Sequence, residues 1–232
     1  MSIFPNGLPL PLILAVTAVI AYFCGCFNGA VIVSKYILRN DVRNHGSGNA
    51  GLTNFFRTFG GPLTFVVILC DVLKAVVALL VSQWLMFSGY TIFISADFTV
   101  AYWDTFAKYW AGLFCLLGHM FPCMFQFKGG KGILCSGTLL LLLDWRIALV
   151  CWSLFAVLWL TTRYVSLGSV SAAAVFPVMT HVVFGDAFAT AFSVLIAALV
   201  LFAHRENIKR LLNGTENKFR FHVNAPKSEG EA

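Results

Sequence analysis

The sequence predicts an all-α polytopic membrane protein of about seven transmembrane helices, with its N-terminus outside and its C-terminus in the cytoplasm. Three observations carry this. The 232 residues are 59% hydrophobic and only 11% charged, where soluble domains carry about 25% charged residues. Uncharged runs that approach or exceed the roughly 20 residues of a membrane span recur along the chain. Lys and Arg gather in alternate connections between those runs.

The first run covers residues 8–33, long enough to cross with some tilt. Lys35, Arg39 and Arg43 follow, and then a Gly-rich stretch over 45–61. The second run, 62–87, holds Asp71 and Lys74, three residues apart on one helix face. Charges at that depth usually face a bundle interior or a cavity; a pair that merely locks two helices is the other reading. Residues 88–104 form an aromatic connection with two acids, Asp97 and Asp104. Trp103, Tyr109 and Trp110 are read as interfacial anchors.

A third run extends to residue 125. Residues 133–162, interrupted only by Asp144-Trp145-Arg146, read as a tight helical hairpin, with one re-entrant segment as the alternative. Two more runs, to Phe184 and from Ala187 to Ala203, flank Gly185-Asp186. Residues 1–217 are expected to form one domain and 218–232 a polar, disordered tail. Residues 1–34 contain no Lys or Arg, so no cleavable signal peptide is expected.

Of the 16 Lys and Arg, only Lys74, Lys108 and Arg146 lie off the connections after runs 1, 3 and 5 and the segment after run 7. That side is therefore read as cytoplasmic, and the net charge of +6 as a topology signal. Nucleic-acid binding needs a basic patch on a soluble face, and the sequence offers none. The seven cysteines sit almost entirely in apolar runs without metal-ligand spacing, which favours plain packing. No metal or cofactor is expected.

The same side collects the polar candidates: the 45–61 stretch, His119, Lys128, Lys131, Arg163, Ser166, His204, Asn207, Lys209, Arg210 and Glu216. Glycines let backbone amides approach a ligand, and Arg57 adds a fixed cationic fork. Such a loop suits an anion, and a phosphate in particular.

Each signal has a plainer reading. Residues 46–51 match GxGxxG, but no strand precedes them. The Gly129-Gly130-Lys131-Gly132 run has Phe125 where a P-loop needs Gly. A lone His119 is what a capped helix end or a packed core also carries. Lys128 and Lys131 double as topology signals. His181 and Asp186 spell H-x4-D, but at an outer turn away from the other polar groups, and are read as chance. A small-anion transporter and a non-catalytic scaffold compete with an enzyme. A transporter predicts polar groups at the bilayer midplane and on both faces; a scaffold has no need of the glycines.

Three blocks taken together resemble the PlsY family of bacterial acyl-phosphate:glycerol-3-phosphate acyltransferases. They are Asp41-Val42-Arg43 leading into GSGNAGLTNFFRTFG (46–60), GHMFPCMFQFKGGKG (118–132) and HRENIKRLLNGTE (204–216). The resemblance covers about residues 20–217 and includes Asp71, Lys74 and 163–169. Departures are Leu52 where the family has Ala, Gly25-Cys26-Phe27-Asn28 where it often reads GSIP, and Gly132-Ile133-Leu134-Cys135 where it tends to read GVAT.

The resemblance implies acyl transfer from an acyl phosphate to the 1-hydroxyl of glycerol 3-phosphate. It gives 1-acyl-glycerol 3-phosphate (lysophosphatidic acid) and phosphate, the first step of phospholipid synthesis. It also implies a multi-pass protein of the bacterial inner membrane with a cytoplasmic active site, contact with membrane lipid, and an upstream acyl-phosphate-forming enzyme as partner. The expected acyl-phosphate site is Gly46, Ser47, Gly48, Asn49, Gly51, Thr53 and Asn54. The glycerol 3-phosphate site is expected at Arg57, Lys128, Gly129, Gly130, Lys131, Ser166 and Asn207. Asp71, Lys74 and Glu216 support or close the site. Ser47, Arg57 and His119 are the catalytic candidates, with a substrate phosphate oxygen the other candidate base.

Overall fold

The computed structural model describes residues 9–88 and 99–219. Residues 89–98, with Asp97, and the tail beyond Phe219 lie outside the described residues, while 99–104, read from the sequence as part of a connection, are helical. The helices are α1 (Leu10–Cys26), α2 (Gly29–Ile32), α3 (Leu52–Thr58), α4 (Leu63–Ser88), α5 (Thr99–Met120), α6 (Ile133–Leu143), α7 (Trp145–Thr162), α8 (Val165–Phe184), α9 (Ala187–Ala203) and α10 (Arg205–Leu212).

Each of the seven apolar runs is largely helical, the first with a break at Phe27 and Asn28. Among the described residues, four helical stretches are long and apolar enough to cross a membrane: Leu10–Ile37, Leu63–Met86, Trp145–Thr162 and Val165–Phe184. Helices α9 and α10, bent by 63°, make a fifth if they count as one span. At 11 residues, α6 is only about 16 Å long. Residues 133–162 are two helices, as a hairpin requires. They break at Asp144, whose carboxylate accepts from the Arg146 N–H at 2.8 Å and so caps α7.

Helices α1, α4, α5, α6, α7, α8 and α9 share one core, including Ala21, Leu79, Tyr109, Leu139, Ile147, Phe176 and Ile196. Helix α1 crosses α5 closely because Gly25 and Gly118 carry no side chain. A Cβ on either would strike the other helix's backbone, at the Cys115 and Tyr22 carbonyls. Large apolar side chains such as Phe65, Trp84, Leu160 and Val182 point outward, as lipid contact requires. Tyr109 is fully buried, with its hydroxyl 2.9 Å from Thr180 Oγ1. It is a core residue and not an interfacial anchor. The Trp110 indole N–H donates to Leu14 O at 3.1 Å, tying α5 to α1.

Helix α1 stops at Phe27. Asn28 restarts the chain, accepting from the Val31 N–H and donating through Nδ2 to Ala50 O, both at 3.0 Å. The break thus reaches into the Gly-rich stretch. That stretch carries α3 and rests on its own small core of Val31, Val42, Ala50, Phe55, Val67 and Phe125.

Candidate active site

The Gly-rich stretch is a braced loop. The Arg43 guanidinium grips Asp41 at 2.7 Å, holding that carboxyl below its usual range, and donates to Phe125 O at 2.7 Å. The loop entry is thereby tied to the turn after α5. Gly46 and Gly48 have φ of +56° and +68°, a left-handed geometry that glycine adopts at low cost. Buried Asn54 is the loop's inner brace. Its Nδ2 donates to Val42 O (3.1 Å) and His45 O (3.0 Å), and its Oδ1 accepts from the Ser47 N–H (3.0 Å). This arrangement leaves the Ser47 side chain exposed on the wall of a cavity.

That cavity has a volume of about 1570 Å³. Its polar end is walled by Ser47, Asn49, Thr53 and Arg57 from the loop and α3, by Lys131 before α6, and by Ser166, His204, Asn207, Arg210 and Glu216. The Glu216 carboxylate organises one side. It accepts from Asn207 Nδ2 (2.7 Å), Ser166 Oγ (2.8 Å) and Arg210 Nε (2.7 Å). Burial pushes its pKa up, but these three donors outweigh burial and hold it below the ordinary value. Asn207 Oδ1 in turn accepts from Lys131 Nζ. Burial and the nearby Arg210 pull the Lys131 ammonium down to about 8. Arg57 is also depressed by burial and donates to Asn217 O at 3.2 Å.

Beneath the loop lies a buried charged cluster. Lys74 Nζ is 2.7 Å from Asp71 Oδ1, 2.7 Å from His119 Nδ1 and 3.2 Å from Phe27 O. It joins α4, α5 and the break in α1. Asp71 and His119 border the cavity. Gly129 and Gly130 donate their amides to Met120 O and His119 O at 3.1 Å each, and Gly129 O accepts from the Ala50 N–H at 3.3 Å. Gly129 thus binds one loop to the other and Gly130 packs against Ala50 O; neither lines the cavity, nor does Gly48.

Lys128 does not join the site. It is exposed and outside the cavity wall. Gln126 and Phe127 both have positive φ, +61° and +58°, a tight reversal just ahead of Lys128, and the chain turns inward only at Gly129 and buried Gly130, bringing Lys131 to the cavity. The H-x4-D pair lies at the other end of α8 from Ser166. Asp186 there caps α9 by accepting from the Ala189 N–H at 2.6 Å. His204 and Arg210 line the cavity although no role was assigned to them from the sequence; their position in the third block was the available signal.

Past the polar end the cavity becomes apolar, running between α6, α7, α8 and α9 along Leu134, Trp152, Phe155, Trp159, Ala172 and Val200. The farthest lining residues are Leu140, Cys151, Phe176 and Ile196, all buried. The lining at this end is apolar among the described residues, and nothing supports the transporter alternative. Among the described residues no cluster of His, Cys, Asp and Glu is placed to hold a metal ion.

Comparison with known proteins agrees with this geometry. Residues 15–214 match the family described as glycerol-3-phosphate acyltransferase. A glycerol-3-phosphate acyltransferase of Thermoanaerobacter pseudethanolicus is 36% identical over 202 residues, covering 87% of this chain and 93% of that one. One of Fusobacterium nucleatum is 37% identical over 203 residues, covering 88% and 96%. The crystal structure of PlsY, an integral membrane glycerol 3-phosphate acyltransferase, in its glycerol 3-phosphate form superposes with a TM-score of 0.76 at 30% identity, covering 89% of this chain and 96% of that one. Its lysophosphatidic acid form gives 0.73 at 29% identity, covering 90% and 96%. The chain belongs to the PlsY family of integral membrane glycerol-3-phosphate acyltransferases.

Proposed function

We propose that this protein transfers an acyl group from an acyl phosphate to the 1-hydroxyl of glycerol 3-phosphate, releasing lysophosphatidic acid and phosphate. The observation that carries this is one cavity with a cationic, hydrogen-bonding end and an apolar shaft. Such a cavity suits a reaction between two phosphate anions, one of which bears a lipid tail.

The glycerol hydroxyl oxygen attacks the acyl carbonyl, and the bond from that carbon to the phosphate oxygen breaks. The hydroxyl proton passes to a substrate phosphate oxygen. The acyl phosphate is already activated, so no enzyme nucleophile is required. Ser47, Asn49, Thr53 and the loop amides hold the acyl phosphate and stabilise charge that develops on its carbonyl and leaving group, while Asn54 holds the loop. Arg57 clamps a phosphate bidentately. Lys131, Ser166 and Asn207 hold glycerol 3-phosphate, and Glu216 closes the site. Orientation of the two substrates contributes much of the rate.

The topology belongs to the same reading: seven crossings, N-terminus outside, the site on the cytoplasmic side of a bacterial inner membrane, and an acyl-phosphate-forming enzyme upstream. Its support is the helical state of all seven runs and the one-sided Lys and Arg.

The test mixes purified protein with acyl phosphate and glycerol 3-phosphate and measures phosphate release, with acyl-CoA as the control donor. Turnover with acyl phosphate alone is expected; use of acyl-CoA in its place would overturn the donor assignment. Ser47→Ala or Arg57→Ala should abolish turnover in folded protein. Near-normal rates would remove the loop from the mechanism.

A further inference from the structure

The apolar shaft ends on four helices at comparable depth. Along α8 the lining runs from Ser166 at the polar end to Phe176; along α9 from His204 to Ile196; along α7 from Trp159 to Cys151; along α6 it stops at Leu140. At 1.5 Å per residue the three longer helices give a shaft of roughly 12–15 Å. That is about half of a ~30 Å hydrocarbon core. The end residues are among the most buried apolar groups of the fold, with Cys151 at 0%, Ile196 at 1%, Phe176 at 3% and Leu140 at 7% exposure.

Phe176 is the largest of the four, and it is held from behind. Its ring stacks on Tyr109 with centroids 6.2 Å apart and planes 15° off parallel. Tyr109 is fully buried, and its hydroxyl is fixed to Thr180 at 2.9 Å. Phe184 meets Tyr109 edge-on at 6.5 Å. A chain descending the shaft meets a ring that cannot retreat, because a close-packed interior yields little.

We propose that Phe176 sets the acyl-chain length this enzyme accepts, acting as the stop at the end of the acyl shaft. This rests on the acyl-phosphate reading above. It adds a named specificity residue and a direction of change: volume removed at position 176 admits longer chains, and volume added excludes them.

The experiment measures kcat/KM for a series of saturated acyl phosphates of increasing length, each profile normalised to that enzyme's own best donor. Phe176→Leu and Phe176→Ala should move the cut-off to longer chains. The first donor rejected by the wild type should gain about tenfold or more in relative kcat/KM. Phe176→Trp should move the cut-off to shorter chains. Phe176→Leu keeps the measurement available if the alanine variant does not fold, as judged by size-exclusion profile and thermal unfolding. Val178→Ala, on the lipid-facing side of the same helix, should leave the cut-off in place. An unchanged cut-off in folded Phe176→Leu and Phe176→Trp would overturn the proposal and mean that the chain leaves sideways past Trp152. An equal shift in Val178→Ala would overturn it as well. Failure of the wild type to use any acyl phosphate would instead defeat the donor assignment.

Discussion

Lys74 Nζ stands 2.7 Å from His119 Nδ1, closer than the 3.7 Å between that nitrogen and Asp71. An ammonium only donates, so Nδ1 supplies the lone pair and the neutral ring carries its proton on Nε2, a tautomer assigned from its partner. His119 is thereby a donor on the edge that borders Gly130, and its free lone pair is already engaged. This weakens it as the base and favours a substrate phosphate oxygen in that role. Lys74→Met removes the His119 donor and leaves Asp71 buried without its cation. Breaking one side of a buried pair costs about 3–5 kcal/mol, so a large drop in the unfolding temperature in detergent is expected. Asp71→Asn combined with Lys74→Met should recover part of that loss. A single variant as stable as wild type would show that the cluster is not the brace described.

Gly130 is where the two loops touch over His119. A methyl group there would sit 2.7 Å from Ala50 O and against His119 Nε2. Neither neighbour yields easily: one is a backbone carbonyl whose oxygen accepts from Asn28, and the other is a ring held by Lys74. Overpacking of this kind costs about 1–3 kcal/mol. Gly130→Ala should lower the unfolding temperature and raise KM for glycerol 3-phosphate, because Lys131 is the next residue. Unchanged kinetics would separate the loop junction from the substrate site.

The depressed Lys131 gives a pH dependence with a definite sign. Its ammonium is present below about pH 8 and lost above it. KM for glycerol 3-phosphate should therefore rise as pH increases through 8, while a bound phosphate dianion moves the transition upward. Lys131→Arg keeps its charge throughout and should flatten that rise even if its KM is higher overall. A wild-type KM that is level from pH 7 to 9 would mean that Lys131 does not contact the anion.

The polar end was legible in the sequence because Gly, Ser, Asn, Lys and Arg stand out against apolar runs and the alternation of charge put them on one side. Lys128 was misplaced for the same reason. Its charge beside glycines looks like that of Lys131, and only the folded turn shows that Lys128 faces solvent while Lys131, past buried Gly130, reaches the cavity. The shaft was not legible. In lipid, outward residues are as apolar as inward ones, so Trp152, Phe155 and Phe176 carry no mark that they face a cavity. Helix α3 was hidden inside a stretch read as a loop. Tyr109 looked interfacial because its hydroxyl partner, Thr180, is 71 residues away.

The segment after α10 offers a last test. The family match ends at residue 214, yet Glu216, Asn217 and Lys218 line the cavity. Beyond them, the Phe219 N–H donates to Arg163 O at 2.7 Å. The Phe219 ring stacks on Phe56 at 5.6 Å and meets Trp159 edge-on at 5.6 Å, so it joins α3 to α7 across the polar end. Glu216 anchors this strap from inside. Hydrogen bonds to a charged group contribute about 1.5–3 kcal/mol each. Glu216→Ala frees Asn207 from its acceptor, and Asn207 is what orients Lys131. KM for glycerol 3-phosphate should rise about tenfold or more, since each 1.4 kcal/mol is a factor of ten. Glu216→Gln keeps one oxygen to accept from Ser166 and Asn207 and loses the charge and the hydrogen bond facing Arg210, so its effect should be smaller. Equal KM values in Glu216→Ala and wild type would mean that the strap closes the fold without shaping the substrate site.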